Sequence, residues 1–143
     1  MNGKEMVEWE EKVWGRVMHI FSSEKAGVSY LEVVKGFQCS RHFHKQRVNA
    51  FAVISGKLLI LEWLPIESDE CNPDRFSSPR QTILSSGQTY SIPTFVDHKF
   101  CVLKSGVVVE YYSPEHDWDR VQIDDIIRKD EGGEVPEKIL LGY

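Results

Sequence analysis

The sequence predicts a single all-β domain, built as a sandwich or closed barrel of short strands. Three observations predict it. The 143 residues amount to one domain with room for a core around a ligand pocket. Runs dense in Val, Ile, Phe and Tyr, alternating or continuous, fill the middle of the chain. Turn residues separate those runs, and little of the chain reads as helix.

In chain order the expected strands cover residues 15–21, 28–34, 51–63, 82–84, 88–92, 98–103 and 107–112. Ser55-Gly56 and Ser105-Gly106 read as hairpin turns, and Ser85-Ser86-Gly87 as the approach to another strand. Residues 65–79 are the one long irregular stretch, with Pro65, Pro73 and Pro79 among the acids Glu67, Asp69, Glu70 and Asp74. A connection of that length is either a functional excursion, here folding over a pocket mouth, or a solvated insertion. After Tyr112 the pattern changes: Ser113-Pro114-Glu115 and residues 124–129 read as short helical turns. The tail from Asp130 is Gly- and charge-rich, ordered where Ile139 and Leu140 dock. The barrel core thus spans about 14–112, followed by a C-terminal extension over 113–143.

Composition excludes several classes. The chain is 41% hydrophobic and 27% charged, with 17 Lys and Arg against 22 Asp and Glu, a net charge of -5. A mildly acidic chain with no basic stripe does not suit phosphate-backbone binding, so nucleic acid is not an expected partner. No stretch approaches the roughly 20 apolar residues of a membrane span. The start, MNGKEMVEWEEKVWG, lacks the apolar run of a signal peptide, which makes cytoplasmic localisation the expectation. Cys39, Cys71 and Cys101 are odd in number and share no C-x-x-C spacing; they read as buried free thiols in a reducing compartment.

The chemistry concentrates in Arg41-His42-Phe43-His44-Lys45-Gln46. Alternate side chains of a strand face the same way, so His42, His44 and Gln46 are expected on one face. Two imidazoles so placed converge on one point, as a metal ion requires, although such a pair also fits an ordinary polar strand face. A third imidazole, His98, follows Ile92-Pro93-Thr94-Phe95-Val96-Asp97 into another apolar strand.

The spacing around these residues carries a resemblance. Gly36 is followed after five residues by His42-Phe43-His44, then after four by Asn49 and after six more by Gly56. Gly87 is followed after five residues by Pro93 and after four more by His98. In order and spacing these resemble the two signature motifs of the cupin superfamily, which implies a small double-stranded β-helix, the jelly-roll barrel. The chain departs from them at Asn49, where the first motif has glutamate, and at Phe95 and Val102, where the second has glycine and asparagine. The resemblance implies a divalent metal (zinc, manganese, iron or nickel) held by His42, His44 and His98. Asn49 would be a neutral and weaker fourth donor, and Gln46 an alternative amide ligand.

Within that superfamily the chain looks most like the barrel domain of type II mannose-6-phosphate isomerases. The likeness rests on Trp14-Gly15, on an ungapped match over 42–56 that includes His44, Arg47, Ser55 and Gly56, on Val109-Glu110, and on Asp124-Asp125-Ile126-Ile127-Arg128. It implies a sugar-phosphate or nucleotide-sugar ligand and a Lewis-acid metal. Arg47, with Lys45 as second candidate, would bind a phosphate or a developing enediolate. No acid has a spacing that commits it as the base. A three-histidine site without glutamate also resembles the iron thiol dioxygenases, and a non-catalytic sugar- or small-molecule-binding barrel is a third reading. A metal-free nucleotide-sugar epimerase would need a His–acid base and a positioned Tyr that spacing does not locate. The superfamily's habit of pairing through outer strands makes a homodimer the expected assembly. Asp97 reads as a turn residue, His19 and His116 as exposed, and Trp9, Trp14, Trp63 and Trp118 as packing residues.

Overall fold

The computed structural model describes residues 6–64, 79–113, 120–122 and 132–142. Two long antiparallel strands form its spine: β6 (Val48–Trp63) and β9 (Asp97–Ser113) pair from Val48↔Ser113 to Trp63↔Asp97. One half of the spine is widened by β1 (Trp9–Lys12), β2 (Gly15–Ser22) and β3 (Gly27–Val33) beside β9, and by β8 (Thr89–Ile92) beside β6. The other half carries β4 (Phe37–Gln38) and β5 (His42–His44) beside β9, and β7 (Arg80–Ser85) beside β6. Two short strands from the C-terminal part, β10 (Arg120–Gln122) and β11 (Gly133–Glu134), add to β5 and β4, and the helix α1 (Glu137–Leu140) follows.

The bend that curls this sheet corrects one expectation. Ser55-Gly56 and Ser105-Gly106 are not hairpin turns; they are facing irregularities inside β6 and β9, where the register shifts. Gly56 adopts φ +94°, a left-handed conformation that suits glycine. A Cβ on Gly106 would lie 2.1 Å from the Ser55 carbonyl oxygen, so the strands cross too closely for any side chain there. The Ser55 hydroxyl accepts from Val107 N at 3.1 Å, and Ser105 Oγ from Lys35 N at 2.8 Å. The expected strands 98–103 and 107–112 are therefore one strand, bent by a bulge that increases local twist. Ser86-Gly87 does turn the chain from β7 into β8.

Curling brings the two halves face to face. Val17, Leu31, Phe51, Val53 and Ile92 of one half meet Leu58, Ile60, Leu84, Phe100 and Val102 of the other in one buried cluster. Phe100 joins them, its ring edge-on to Trp14 at 5.2 Å and to Phe51 at 5.9 Å between centroids. All of 58–63 is buried because the second half is covered on both faces. Outside it, Leu59, Leu61, Trp63, Cys101 and Leu103 pack with Val135, and with Ile139 and Leu140 of α1. Val135 N donates to Gly36 O at 2.8 Å and Gln38 Nε2 to Glu134 O at 2.8 Å, fixing the returning tail.

Residues 65–78, the helical turns expected after Ser113 and over 124–129, and Cys71, His116 and Trp118 lie outside the described residues. No helix among the described residues is long and apolar enough to cross a membrane.

Candidate metal centre

Strand alternation puts His42 and His44 on the interior face of β5, and register pairs His42 with His98 of β9. All three are buried, at 8%, 2% and 2% exposure. Their ring centroids lie 5.0, 4.5 and 5.8 Å apart, and one ring nitrogen from each falls within 4.8 Å of the others. His42 Nδ1 lies 2.7 Å from Ser40 O and His98 Nδ1 lies 2.9 Å from Val96 O. A carbonyl oxygen only accepts, so both Nδ1 atoms carry a proton, and in the neutral ring the lone pair then lies on Nε2. Backbone acceptors commonly orient metal-bound imidazoles in this way, and the cluster could bind a metal ion.

The surrounding backbone is anchored as well. Phe95, at the glycine position of the motif, adopts φ +63° as a glycine would, and its N–H donates to His44 O at 2.7 Å. Its exposed ring stacks on Phe43, 6.1 Å between centroids, on the face of β5 away from the histidines. Asp97 faces away too, ion-paired with Arg41 at 2.8 Å while Arg41 lies over the Trp63 ring. His98 is thus oriented by backbone and not by its neighbouring carboxylate.

His42, His44, Arg47 and Asn49 line a cavity of about 410 Å³ together with Glu10, Lys12, His19, Cys39, Phe51 and Glu110. Asn49 is 2% exposed. Its Nδ2 donates to Glu110 Oε2 at 3.3 Å, and its Oδ1 is buried with no hydrogen-bond partner, an oxygen donor open to an ion or ligand. Arg47, 6% exposed, stacks its guanidinium 3.9 Å from the Tyr112 ring centroid. The expectation for Gln46 is corrected: β5 ends at His44, residues 45 and 46 form a bend, and both side chains are exposed. Gln46 therefore does not continue the histidine face, and Lys45 is not among the residues lining the cavity.

Sequence reasoning missed a second set of polar groups. Register places His19, Ser29, Glu110 and Phe51 in one row across β2, β3, β9 and β6. His19 Nδ1 and Ser29 Oγ lie 2.8 Å apart, Ser29 Oγ and Tyr112 OH 3.3 Å, and His19 Nε2 and Glu10 Oε2 3.3 Å. A hydrogen bond from Lys12 holds the Glu10 carboxyl below its ordinary range, with His19 adding to it against partial burial. The signal was alternation: His19 is in phase with buried Val17, and Glu110 with buried Val108 and Tyr112. Cys39 and Cys101 are buried free thiols, and burial pushes the Cys101 thiol up to about 11.

No protein-family model matches the chain, and no curated protein sequence does. Solved structures do. An RmlC-like cupin from Shewanella frigidimarina is 16% identical with a TM-score of 0.61, over 78% of this chain and 86% of that one. KdgF from a Halomonas species is 15% identical with a TM-score of 0.60, over 77% and 88%. A point variant of Streptomyces Pac13 with uridine is 15% identical with a TM-score of 0.64, over 92% and 88%. At these identities the likeness is one of fold: the chain has the jelly-roll barrel of these cupins.

Proposed function

We propose that this cupin binds a divalent metal through His42, His44 and His98 and acts on a small anionic ligand, as a sugar-phosphate isomerase or a close relative. The observation that carries the reading is the convergence of three buried imidazoles, two of which, His42 and His44, line a cavity with the buried Arg47. A bound dication would polarise a ligand oxygen as a Lewis acid. Arg47 would hold a phosphate or carboxylate, its guanidinium kept in place by the Tyr112 ring. Glu110, half-buried in the same wall and bonded by Asn49, is the carboxylate we assign to proton transfer at the ligand. Pac13, described as a nucleoside dehydratase, supports a small-molecule ligand inside such a barrel.

A second reading draws on the ligand set itself. Three neutral imidazoles with no carboxylate among them suit the iron of a thiol dioxygenase, with Arg47 on the substrate carboxylate. Metal content of the untagged protein beside His44→Ala tests both readings. Near-stoichiometric zinc, manganese or nickel, lost in the variant, with isomerisation of mannose 6-phosphate, supports the first. Iron with oxygen uptake on adding cysteine supports the second. Absence of bound metal and no uptake from excess divalent ions overturns both and leaves a binding barrel. A homodimer belongs to the same proposal: Val48, Ile54 and Tyr111 are exposed on the outer sheet face, and sedimentation equilibrium reads the assembly directly.

A further inference from the structure

One charged row on the interior face is not accounted for by the cavity. Antiparallel register pairs Arg80 with Glu62, Glu62 with His98, and His98 with His42, across β7, β6, β9 and β5. Directly opposed residues share a face with Cβ atoms about 4.5–5.5 Å apart, so Glu62 stands one strand away from His98 in the same row. Glu62 is 0% exposed, on a face otherwise built from Leu58, Ile60, Phe100 and Val102. Its Oε1 accepts from the Tyr90 hydroxyl and from Arg80 Nη2 at 3.1 Å. Its Oε2 is buried and has no hydrogen-bond partner. The Arg80 side chain is 52% exposed and shares its charge with water. Packing gains nothing from such a residue, since an apolar side chain of similar volume serves a core at least as well.

The three imidazoles are neutral ligands, and Asn49 adds no charge where the motif has a carboxylate. A dication among them would lack a counter-charge in its own ligand set, while Glu62 has one oxygen uncommitted beside His98. We infer that Glu62 is the counter-charge of the metal centre, acting from outside the donor cluster through the row it shares with His98. It is a positioning residue and not a ligand, because the donor atoms that converge come from the three histidines. The inference rests on the metal-binding reading above. Arg80 competes with the metal for the same carboxylate, so removing either residue should move metal affinity in opposite directions.

The test is zinc affinity by chelator competition at pH 8 for the wild type, Glu62→Gln and Arg80→Ala, with thermal melts of each metal-free protein. Glu62→Gln is expected to weaken zinc binding about 10–100-fold, the range for outer partners of a metal site. Its cobalt(II) spectrum should keep the wild-type band positions, since the ligands are unchanged. Arg80→Ala is expected to tighten zinc binding while lowering the metal-free melting temperature. Unchanged affinity in a folded Glu62→Gln overturns the inference, as does Arg80→Ala weakening zinc binding or leaving it unchanged. Should Glu62→Gln fail to fold, the Arg80→Ala result decides alone. A wild type that binds no zinc overturns the metal reading together with this one, whereas a zinc-binding wild type with indifferent variants overturns only the role of Glu62.

Discussion

His42 and His98 are held by main-chain carbonyls in a buried cluster, whereas His19, which lines the cavity with His42, is held by side chains and is half-exposed. The difference is one of freedom. A carbonyl acceptor favours one tautomer of the neutral ring, the one whose lone pair lies on the opposite nitrogen. Ser29 donates or accepts, so the side chains around His19 suit either tautomer of its ring. One region is fixed by the main chain, the other is set by side chains that can rearrange.

The largest expected effect follows from breaking the buried set. His44→Ala should reduce zinc affinity by more than the roughly 10–100-fold typical of an outer partner, as read by chelator competition. His19→Gln, by contrast, should leave zinc affinity within about twofold of wild type; a larger change would mean that the two regions are not separate. At the rim, the depressed Glu10 carboxyl stabilises the fold above its ordinary value of 4.5, and that contribution is lost as pH falls through the lower folded value. Lys12→Met should raise the Glu10 value toward 4.5, measured by NMR titration of its carboxyl, because the Lys12 hydrogen bond is the largest cause. The smallest effect concerns the anchor beside His44: Phe95→Gly should relieve left-handed strain but lose the stack on Phe43, leaving stability in thermal melts within about 1 kcal/mol of wild type and zinc affinity unchanged.

The histidine cluster was legible because strand alternation and motif spacing are local and His98 needed only a partner strand. Gln46 was misplaced because alternation was extended past His44, where the chain bends. Ser55-Gly56 and Ser105-Gly106 were misread for a different reason. A Ser-Gly pair has the same signature in a hairpin and in a strand bulge, and the choice is made by the contact of Gly106 with the Ser55 backbone across the sheet. The His19–Ser29–Glu110 row shows the same limit: the phase of each strand could be read, but not the register between them.

The pairing of His42 with His98 also bears on the order of folding. The two histidines of β5 are neighbours in any conformation of the chain, but His98 arrives only when β9 has docked on β6, closing a long loop. A complete site therefore forms after the slow, non-local step, and an ion has nothing tridentate to grip before it. Zinc is expected to slow unfolding and leave the refolding rate in stopped-flow experiments unchanged, making the metal a latch on the finished barrel and not a template for it.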